Sequence, residues 1–206
     1  MGYFPFFMEL ERQEGLIVGG GTVALRKVEK LLPYGPRLTV AAPELLPALE
    51  AIPELTLLRR PFGPDLLEGK LFVVAATDDR ALNRRIAAEC RHRRIPVNAV
   101  DDRDACTFLF PALVKRGDLS VGISTGGASP SAAVYLKDRI AGLLPDDFGA
   151  LLAELDALRP AVKAALPEEA RAAAFSRLFA ARLAAGRPLE EAELRAILLG
   201  EREETL

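Results

Sequence analysis

The chain has 206 residues, of which 50% are hydrophobic, with 27 basic and 29 acidic side chains and a formal net charge of −2. This length suffices for one sizeable core and a smaller second unit, and the slightly acidic balance argues against nucleic-acid binding, which usually requires a basic field. The two cysteines, Cys90 and Cys106, form no C-x-x-C pair, which excludes a disulfide scaffold or structural zinc and suits a reducing compartment.

The N-terminal eight residues are apolar and aromatic, but they have no basic segment and run directly into Glu9, Glu11 and Arg12. This is not the pattern of a signal peptide, and we expect the aromatic side chains to cover a sheet edge or a domain face. No later segment approaches the ~18 consecutive apolar residues of a membrane span. We therefore expect a cytoplasmic protein with no membrane partner.

A glycine-rich turn follows the first strand-like run, residues 16–18. Gly19, Gly21 and Ala24 match G-x-G-x-x-G/A, in which the first glycine permits the turn, the second admits a pyrophosphate and the third residue allows close helix packing. The apolar residues that follow have helical spacing: Ala24, Leu25, Val28, Leu31 and Leu32. A helix here would point its free N–H groups at the phosphates. The pattern predicts a dinucleotide-binding unit, with an ordinary tight turn as the alternative.

The second predicted strand, residues 37–42, ends in Ala41-Ala42-Pro43, where the dinucleotide fingerprint usually has an acidic residue for the ribose. Glu44 comes slightly later in the chain. It is either the ribose ligand or an acid in the first turn of a helix, where the helix dipole favours it. The residues alone therefore do not choose between NAD and NADP.

Residues 55–58 and 71–77 are the third and fourth predicted strands, and the fourth is apolar enough to be buried on both faces. Ala76 and Thr77 lie at its carboxyl end, where ligands bind in open α/β sheets. The alternative is that Thr77 or Asp78 is only the N-cap of the helix that follows.

The helix that follows is predicted to bury Leu82, Ile86 and Cys90 on one face. The single histidine, His92, stands among Arg91, Arg93 and Arg94. Charged runs on helices are usually exposed, so we expect His92 on a solvated face and not in a site.

The fifth predicted strand, residues 96–100, runs into three carboxylates, Asp101, Asp102 and Asp104. Asp102 and Asp104 suit a solvated turn. Asp101 is the first polar residue after the buried run, and we expect it to point into the crevice where a nicotinamide would lie. Partial burial beside other carboxylates would raise its pKa and suit it to proton transfer.

Residues 106–114 and 119–124 flank Lys115-Arg116-Gly117-Asp118 and predict an antiparallel hairpin. A second glycine-rich turn then leads into a helix with Ser129 as N-cap and Pro130 at the first position. This helix carries an apolar face: Ala132, Ala133, Leu136, Ile140 and Leu143. Because a hairpin and helix of this kind would leave apolar faces uncovered, we expect a homodimer.

Beyond Pro145 the chain is rich in Ala, Leu, Glu and Arg, and Pro160, Pro167 and residues 186–188 divide it into three or four predicted helices with apolar core faces. The predicted fold class is α/β. A Rossmann-type parallel sheet domain (1–111) precedes a hairpin–helix dimerisation region (112–145) and a small all-helical domain (146–206).

Four segments in this order resemble the precorrin-2 dehydrogenase family: residues 18–27, 75–79, 97–101 and 124–130. Members occur alone or as the N-terminal module of siroheme synthase, and the resemblance spans most of residues 1–145. It implies a homodimer that oxidises precorrin-2, a tetrapyrrole with many carboxylates, to sirohydrochlorin with NAD as cofactor. In some members the same site also inserts ferrous iron to give siroheme.

The resemblance also implies the site. It assigns catalysis to Asp101 and substrate-side contacts to Thr125, Gly126 and Gly127, although many relatives have Ser in place of Thr125. The resemblance, together with the glycine turn and the strand ends, predicts the residues that contact the cofactor: Gly19, Gly21, Thr22, Val23, Pro43, Glu44, Ala76 and Thr77. No metal ligands are predicted, since tetrapyrrole nitrogens can hold an ion themselves.

Two other classes of function remain open. Another NAD-dependent oxidoreductase would reduce NAD with a different small substrate. A non-catalytic sensor of NAD and NADH would use the helical tail as its effector, but a DNA-reading tail should be basic, and here the arginines alternate with glutamates.

Overall fold

The structure is a computed structural model that describes residues 3–199, with the backbone alone at Leu199. The chain divides into two compact units, Met1–Phe110 and Pro111–Leu206. The first unit contains a parallel sheet with helices, and the second contains a hairpin followed by helices.

Five parallel strands form the sheet of the first unit: β1 (Glu14–Val18), β2 (Arg37–Ala41), β3 (Thr56–Leu58), β4 (Phe72–Ala75) and β5 (Val97–Ala99). Their spatial order is β3-β2-β1-β4-β5, so the chain builds outward on one side of β1 and then crosses to β4 on the other side. The topological switch point, where open α/β sheets bind ligands, therefore lies between β1 and β4. The predicted Rossmann-type parallel sheet is confirmed.

Helices cover both faces of this sheet: α1 (Thr22–Leu31), α2 (Pro47–Glu50) and α3 (Arg80–His92). Successive residues of a strand point to opposite faces, and Ile17 accordingly joins a buried cluster with Ala24 and Val28 of α1. Leu16 joins the opposite cluster, which includes Ile86 of α3. All four residues of β4 are buried, as the sequence predicts for a strand covered on both faces.

Two predictions about the surface of the first unit have different outcomes. His92 is exposed, as predicted. The expectation that the N-terminal aromatics cover a sheet edge or a domain face is wrong for Phe4, Phe6 and Phe7, because these side chains are exposed.

The second unit begins with the predicted hairpin, in which β6 (Ala112–Arg116) pairs antiparallel with β7 (Leu119–Ile123). The first arm does not begin at residue 106, as predicted, because the segment before it is bound to the edge of the parallel sheet. The Thr107 N–H donates to the Val97 carbonyl (2.8 Å), and the Thr107 hydroxyl accepts from the Val97 N–H (2.8 Å).

Five helices follow the hairpin: α4 (Pro130–Leu143), α5 (Phe148–Ala157), α6 (Arg159–Ala165), α7 (Glu168–Ala185) and α8 (Glu191–Leu199). The predicted start of α4 is confirmed, because the Ser129 hydroxyl accepts from the Ala132 N–H (3.2 Å) and Pro130 is the first helical residue. Along α4, several large apolar side chains are exposed: Val134, Tyr135, Leu136 and Leu143.

The last four helices share a core that includes Val162 and Leu178, both fully buried, as predicted for their apolar stripes. Arg182 of α7 is 3% exposed and donates to Asp147 (2.7 Å) and to Glu154 of α5 (2.6 Å). This pair of ion pairs ties α7 to α5. Over residues 3–199, no helix combines the length and apolarity that crossing a membrane requires.

Candidate dinucleotide-binding and active site

Gly19 brings the carboxyl ends of three strands together. Its φ is +131°, a conformation that L side chains rarely adopt, and a Cβ there would lie 2.3 Å from the Ala76 carbonyl oxygen after β4. The Gly19 N–H donates to the Ala41 carbonyl of β2 (3.0 Å). Glycine is thus required for the turn at the switch point, and Ala76 lies directly against it.

Gly20 holds the loop after β2 against the glycine turn. A Cβ at Gly20 would lie 1.9 Å from the Glu44 carbonyl oxygen, and the Gly20 carbonyl accepts from the Leu46 N–H (2.9 Å). Pro43 and Glu44, both exposed, are therefore beside the turn. The sequence pattern used to predict the turn includes no role for Gly20. The run of three consecutive glycines was the signal that a second close backbone approach occurs here.

Glu44 is not part of a helix. The helix after β2 begins only at Pro47, with Leu46 as its N-cap. The alternative that Glu44 is a first-turn helix acid is therefore wrong, and the ribose role stays a prediction.

Gly21 leaves the N-terminus of α1 open. It is the N-cap, with extended backbone angles that any residue can adopt, and no side chain caps the helix. A Cβ at Gly21 would meet no atom within 4 Å, and Thr22 and Val23 beside it are exposed. Because the first turn contains no acidic residue, its free N–H groups can bind an anion. This cradle fits the pyrophosphate of a dinucleotide.

Thr77 is held by Asn83, a buried residue of α3. The Asn83 Oδ1 accepts from the Thr77 N–H (3.2 Å) and hydroxyl (2.7 Å), and the Asn83 Nδ2 donates to the Thr77 carbonyl (2.9 Å). Asp79 caps the helix by accepting from the Ala81 N–H (2.8 Å). The alternative that Thr77 or Asp78 is the N-cap is therefore wrong.

Of the predicted buried face of α3, Ile86 and Cys90 are buried, and Leu82 is partly buried against the same cluster. The prediction did not include Asn83, which is also buried. An asparagine at helical spacing from Ile86 and Cys90 was the available signal, because a buried amide needs hydrogen-bond partners.

Asp101 follows β5 with φ at +59°, a left-handed conformation that is uncommon for a residue other than glycine. Backbone strain of this kind occurs often at functional positions. The side chain is exposed, so the expected partial burial is wrong for this chain: the turn carries Asp101 outward from the end of the strand.

Asp102, and not Asp101, is the half-buried carboxylate of this turn. It accepts from Arg84 Nε of α3 (2.6 Å) and from the Ala105 N–H (3.3 Å). The Arg84 guanidinium holds the pKa of Asp102 below its usual value. The expectation of a solvated turn residue is wrong for Asp102, whereas Asp104 is exposed as expected.

Lys27 of α1 is a second residue that the sequence analysis missed. Its Nζ lies 3.7 Å from the centroid of the Phe110 ring, and the residue is half-buried. Burial and the neighbouring charge of Lys30 lower the pKa of Lys27 to about 8, although the carboxylate of Asp101 acts in the opposite direction.

The predicted substrate-side residues form a compact turn in the second unit. The Thr125 hydroxyl donates to the Ser129 carbonyl (3.0 Å) and accepts from the Ser129 N–H (3.1 Å). Gly126 and Gly127 have φ values of +62° and +85°. The described residues contain no group of three His, Cys, Asp or Glu side chains that could hold a metal ion.

The second unit also has an open cavity of about 590 Å³ between the hairpin turn and α5 to α7. Its lining includes Asp118, Leu155, Arg159 and Phe179. None of the predicted site residues lines it.

Two family models match the chain. The family described as "Putative NAD(P)-binding" matches residues 6–112, and the one described as "Sirohaem biosynthesis protein central" matches residues 116–143. Together they cover the parallel sheet, most of the hairpin and α4.

Curated relatives are siroheme synthases. The chain is 42% identical over 171 residues to the protein of Thioalkalivibrio sulfidiphilus, a match that covers 82% of this chain and 35% of the relative. It is 42% identical over 171 residues to the Chromobacterium violaceum protein (82% and 36% covered) and 38% identical over 201 residues to that of Sodalis glossinidius (94% and 42% covered). The chain thus spans less than half the length of these relatives.

Among solved structures, one titled "SirC, precorrin-2 dehydrogenase" matches with a TM-score of 0.73 and 24% identity. The match covers 96% of this chain and 98% of the other. At this identity the likeness shows the shared fold.

Substitution at Gly21 should separate cofactor binding from folding. In Gly21→Asp the new Cβ meets no atom within 4 Å, and Asp is a favourable N-cap, so the melting temperature should not fall. Its bulk and charge occupy the place of the pyrophosphate, so NAD affinity should drop by about two orders of magnitude or more in calorimetry.

Gly142→Asp is the matched control, since Gly142 is likewise surrounded by open space but lies on α4. It should keep the affinity for NAD. A folded Gly21→Asp variant with unchanged NAD affinity would refute the assignment of the glycine turn.

Asn83→Ala should loosen the Thr77 loop. It removes three hydrogen bonds and leaves the Thr77 N–H and carbonyl without these partners, at a cost of about 1–3 kcal/mol of unfolding free energy. We expect an increased KM for NAD, measured in steady-state assays.

Thr77→Val tests the same loop from its other side, because it removes the hydroxyl and keeps both backbone hydrogen bonds to Asn83. Its KM for NAD should change less than that of Asn83→Ala. An equal or larger change in Thr77→Val would show that the hydroxyl itself contacts the cofactor and that Asn83 is not the positioning residue.

Proposed function

The chain belongs to the NAD(P)-binding family whose model spans residues 6–112, and from that premise we propose that it oxidises precorrin-2 to sirohydrochlorin with NAD, in the synthesis of siroheme. The curated relatives are named siroheme synthases, and a structure titled precorrin-2 dehydrogenase shares the fold. Cys90 and Cys106 are buried and free, which suits the reducing cytoplasm as the location.

The observation that carries this proposal is the grouping of three features at one edge of the sheet. The glycine turn, the Thr77 loop and Asp101 follow β1, β4 and β5, which are neighbours in the sheet. Since parallel strands end at the same edge, a cofactor bound at the turn and a carboxylate after β5 border one crevice.

The residues of this edge have distinct roles. The N–H groups at the start of α1, near Gly21, Thr22 and Val23, bind the pyrophosphate. Pro43 and Glu44 flank the ribose, and Gly19 with Ala76 and Thr77 forms the floor of the crevice. The family resemblance also implies substrate contacts for three residues of the second unit: Thr125, Gly126 and Gly127.

When bound, NAD accepts the hydride, and with it both electrons, that precorrin-2 loses. The macrocycle also loses a proton, and a carboxylate oxygen of Asp101 accepts it. Asp101 is the first polar residue after the buried strand β5, and its left-handed backbone sets the direction of its side chain. A single positioned carboxylate is therefore sufficient for the chain's own part of the chemistry.

Asp101→Asn keeps the shape of the side chain and removes the base. Dehydrogenase turnover should fall by about 10²–10⁴-fold, the usual effect of losing a general base, as followed anaerobically by NADH absorbance. NAD affinity should be retained, because the pyrophosphate cradle lies on another loop.

Asp104→Asn is the matched control, as Asp104 is an exposed carboxylate of the same turn. It should keep nearly normal turnover. Equal losses in both variants would mean that the acidic turn acts only as a charged rim, and normal turnover in Asp101→Asn would place the base elsewhere.

The name siroheme synthase favours a second reaction at the same site, insertion of ferrous ion into sirohydrochlorin. Metal insertion also requires pyrrole protons to leave, so Asp101 would accept them as well. Incubation of sirohydrochlorin with ferrous or cobaltous ion should then show metallation that is slowed in Asp101→Asn. Equal rates with and without the protein would rule out this second reaction.

We also propose that the chain is a homodimer. Leu136 and Leu143 are exposed, and their spacing of seven residues places them on one face of α4. An exposed apolar helix face is of the kind that oligomers bury.

Leu136→Glu should weaken this dimer, because it places a charge in the apolar face. Sedimentation velocity at micromolar concentration should report a dimer for the wild type and a larger monomer fraction for the variant. Leu183→Glu is the control, because Leu183 of α7 is similarly exposed (41% against 44%) but lies outside the proposed face. A monomeric wild type at this concentration would contradict the proposal.

A further inference from the structure

The surroundings of Lys27 stabilise its positively charged form poorly. The side chain is half-buried on α1, and its ammonium lies over the face of the Phe110 ring, 3.7 Å from the centroid. Among residues 3–199, no carboxylate forms an ion pair or hydrogen bond with Lys27 Nζ. Two other cations of α1 differ from it, because Arg26 and Lys30 are exposed to water.

The ring under Lys27 is itself fixed. The Phe110 ring packs at a tilt against Phe108, with 5.5 Å between centroids, and the Phe108 carbonyl accepts from Asn98 Nδ2 of β5 (3.0 Å). The ammonium is thus held by a rigid aromatic support on the β5 side of α1, which is the side of Asp101. A cation–π contact stabilises a charge only weakly and does not replace the hydration that burial removes.

Three effects act on the charge of Lys27. Burial removes its hydration and Lys30 on the same helix repels it, whereas Asp101, on the segment that follows β5, attracts it. The net result is a pKa of about 8, against a usual 10.5. A lysine with such a pKa near a crevice is a candidate for function. A bound anion would supply the opposite charge that the protein itself does not place beside the ammonium.

We propose that the ammonium of Lys27 binds a carboxylate of the tetrapyrrole, beside Asp101, and so orients the macrocycle for loss of its proton. This inference rests on the proposed function, since precorrin-2 supplies the carboxylates. Lys27 is a positioning residue of the substrate: the pyrophosphate cradle lies at the start of α1, whereas Lys27 lies more than one turn further along the helix.

Binding of this kind changes protonation in a defined direction. Near pH 8 about half of the free Lys27 is neutral, and a bound carboxylate favours the charged form and raises the pKa. Binding therefore takes up a proton, about half a proton per site at pH 8 and much less at pH 6.5, where Lys27 is already charged. The wild type binds its carboxylate ligand more weakly as the pH rises through 8.

The test is calorimetry of sirohydrochlorin binding to the NAD-loaded protein under anaerobic conditions, in two buffers of different ionisation enthalpy at pH 8. Wild type should take up about half a proton. Lys27→Met keeps the apolar stem and removes the charge, so the uptake should vanish and the affinity should fall about tenfold. Arg26→Met, which removes an exposed cation of the same helix, should keep both.

Lys27→Arg should restore affinity without proton uptake, since guanidinium stays charged throughout this range. Melting temperatures establish that each variant is folded, and NAD binding in the same instrument provides the second arm.

Equal affinity and uptake in wild type and Lys27→Met would overturn the inference while leaving the proposed function intact. Proton uptake on NAD binding, lost in Lys27→Met, would assign Lys27 to a cofactor phosphate and also overturn it. A wild type that binds NAD but no sirohydrochlorin would overturn the proposed function as well.

Discussion

The close approach of Gly19 to the Ala76 carbonyl is the constraint on which the rest of the site depends. With 2.3 Å between the position of a Cβ and that oxygen, any other residue would push β1 and β4 apart at the switch point. The hydrogen bond from the Gly19 N–H to Ala41 joins the end of β2 to the same turn. The direction of α1, and with it the position of its open N-terminus, follows from this junction.

The two sides of this edge differ in electrostatic character, and that difference supports the proposed chemistry. On the β1 side, the N-terminus of α1 has no acidic residue in its first turn and favours an anion. On the β5 side, Asp101 is exposed and Asp102 is neutralised by Arg84. A cofactor anion and a proton-accepting carboxylate can therefore occupy the same crevice without opposing each other at short range.

The second layer of residues keeps these groups in place. Asn83 fixes the Thr77 loop with three hydrogen bonds, and Arg84, its neighbour on α3, holds the turn that begins with Asp101 and Asp102. One helix thus supports the loops after both β4 and β5. Rigid support of this kind reduces the entropy lost when cofactor and substrate bind.

Spacing and periodicity predicted the parallel sheet, the order of its elements, the hairpin and the cap of α4, because those depend on local patterns. The role of Gly21 follows from its spacing, whereas that of Gly20 depends on a loop more than 20 residues away, at Glu44. The burial of Asn83 and Lys27 could not be predicted for a related reason. Whether a polar residue of a helix is buried depends on a small rotation of the helix and on a partner that is distant in the sequence. The exposure of Asp101 and the pairing of Asp102 with Arg84 likewise required the turn geometry.

The proposed function requires that the chain remove a hydride from a reduced tetrapyrrole and deliver it to NAD. The most direct measurement is the stoichiometry of an anaerobic incubation of the protein with precorrin-2 and excess NAD, followed by absorbance. We predict about one NADH for each sirohydrochlorin formed, at a rate proportional to protein concentration. Sirohydrochlorin formed without NADH, or no oxidation above the protein-free rate, would contradict the account.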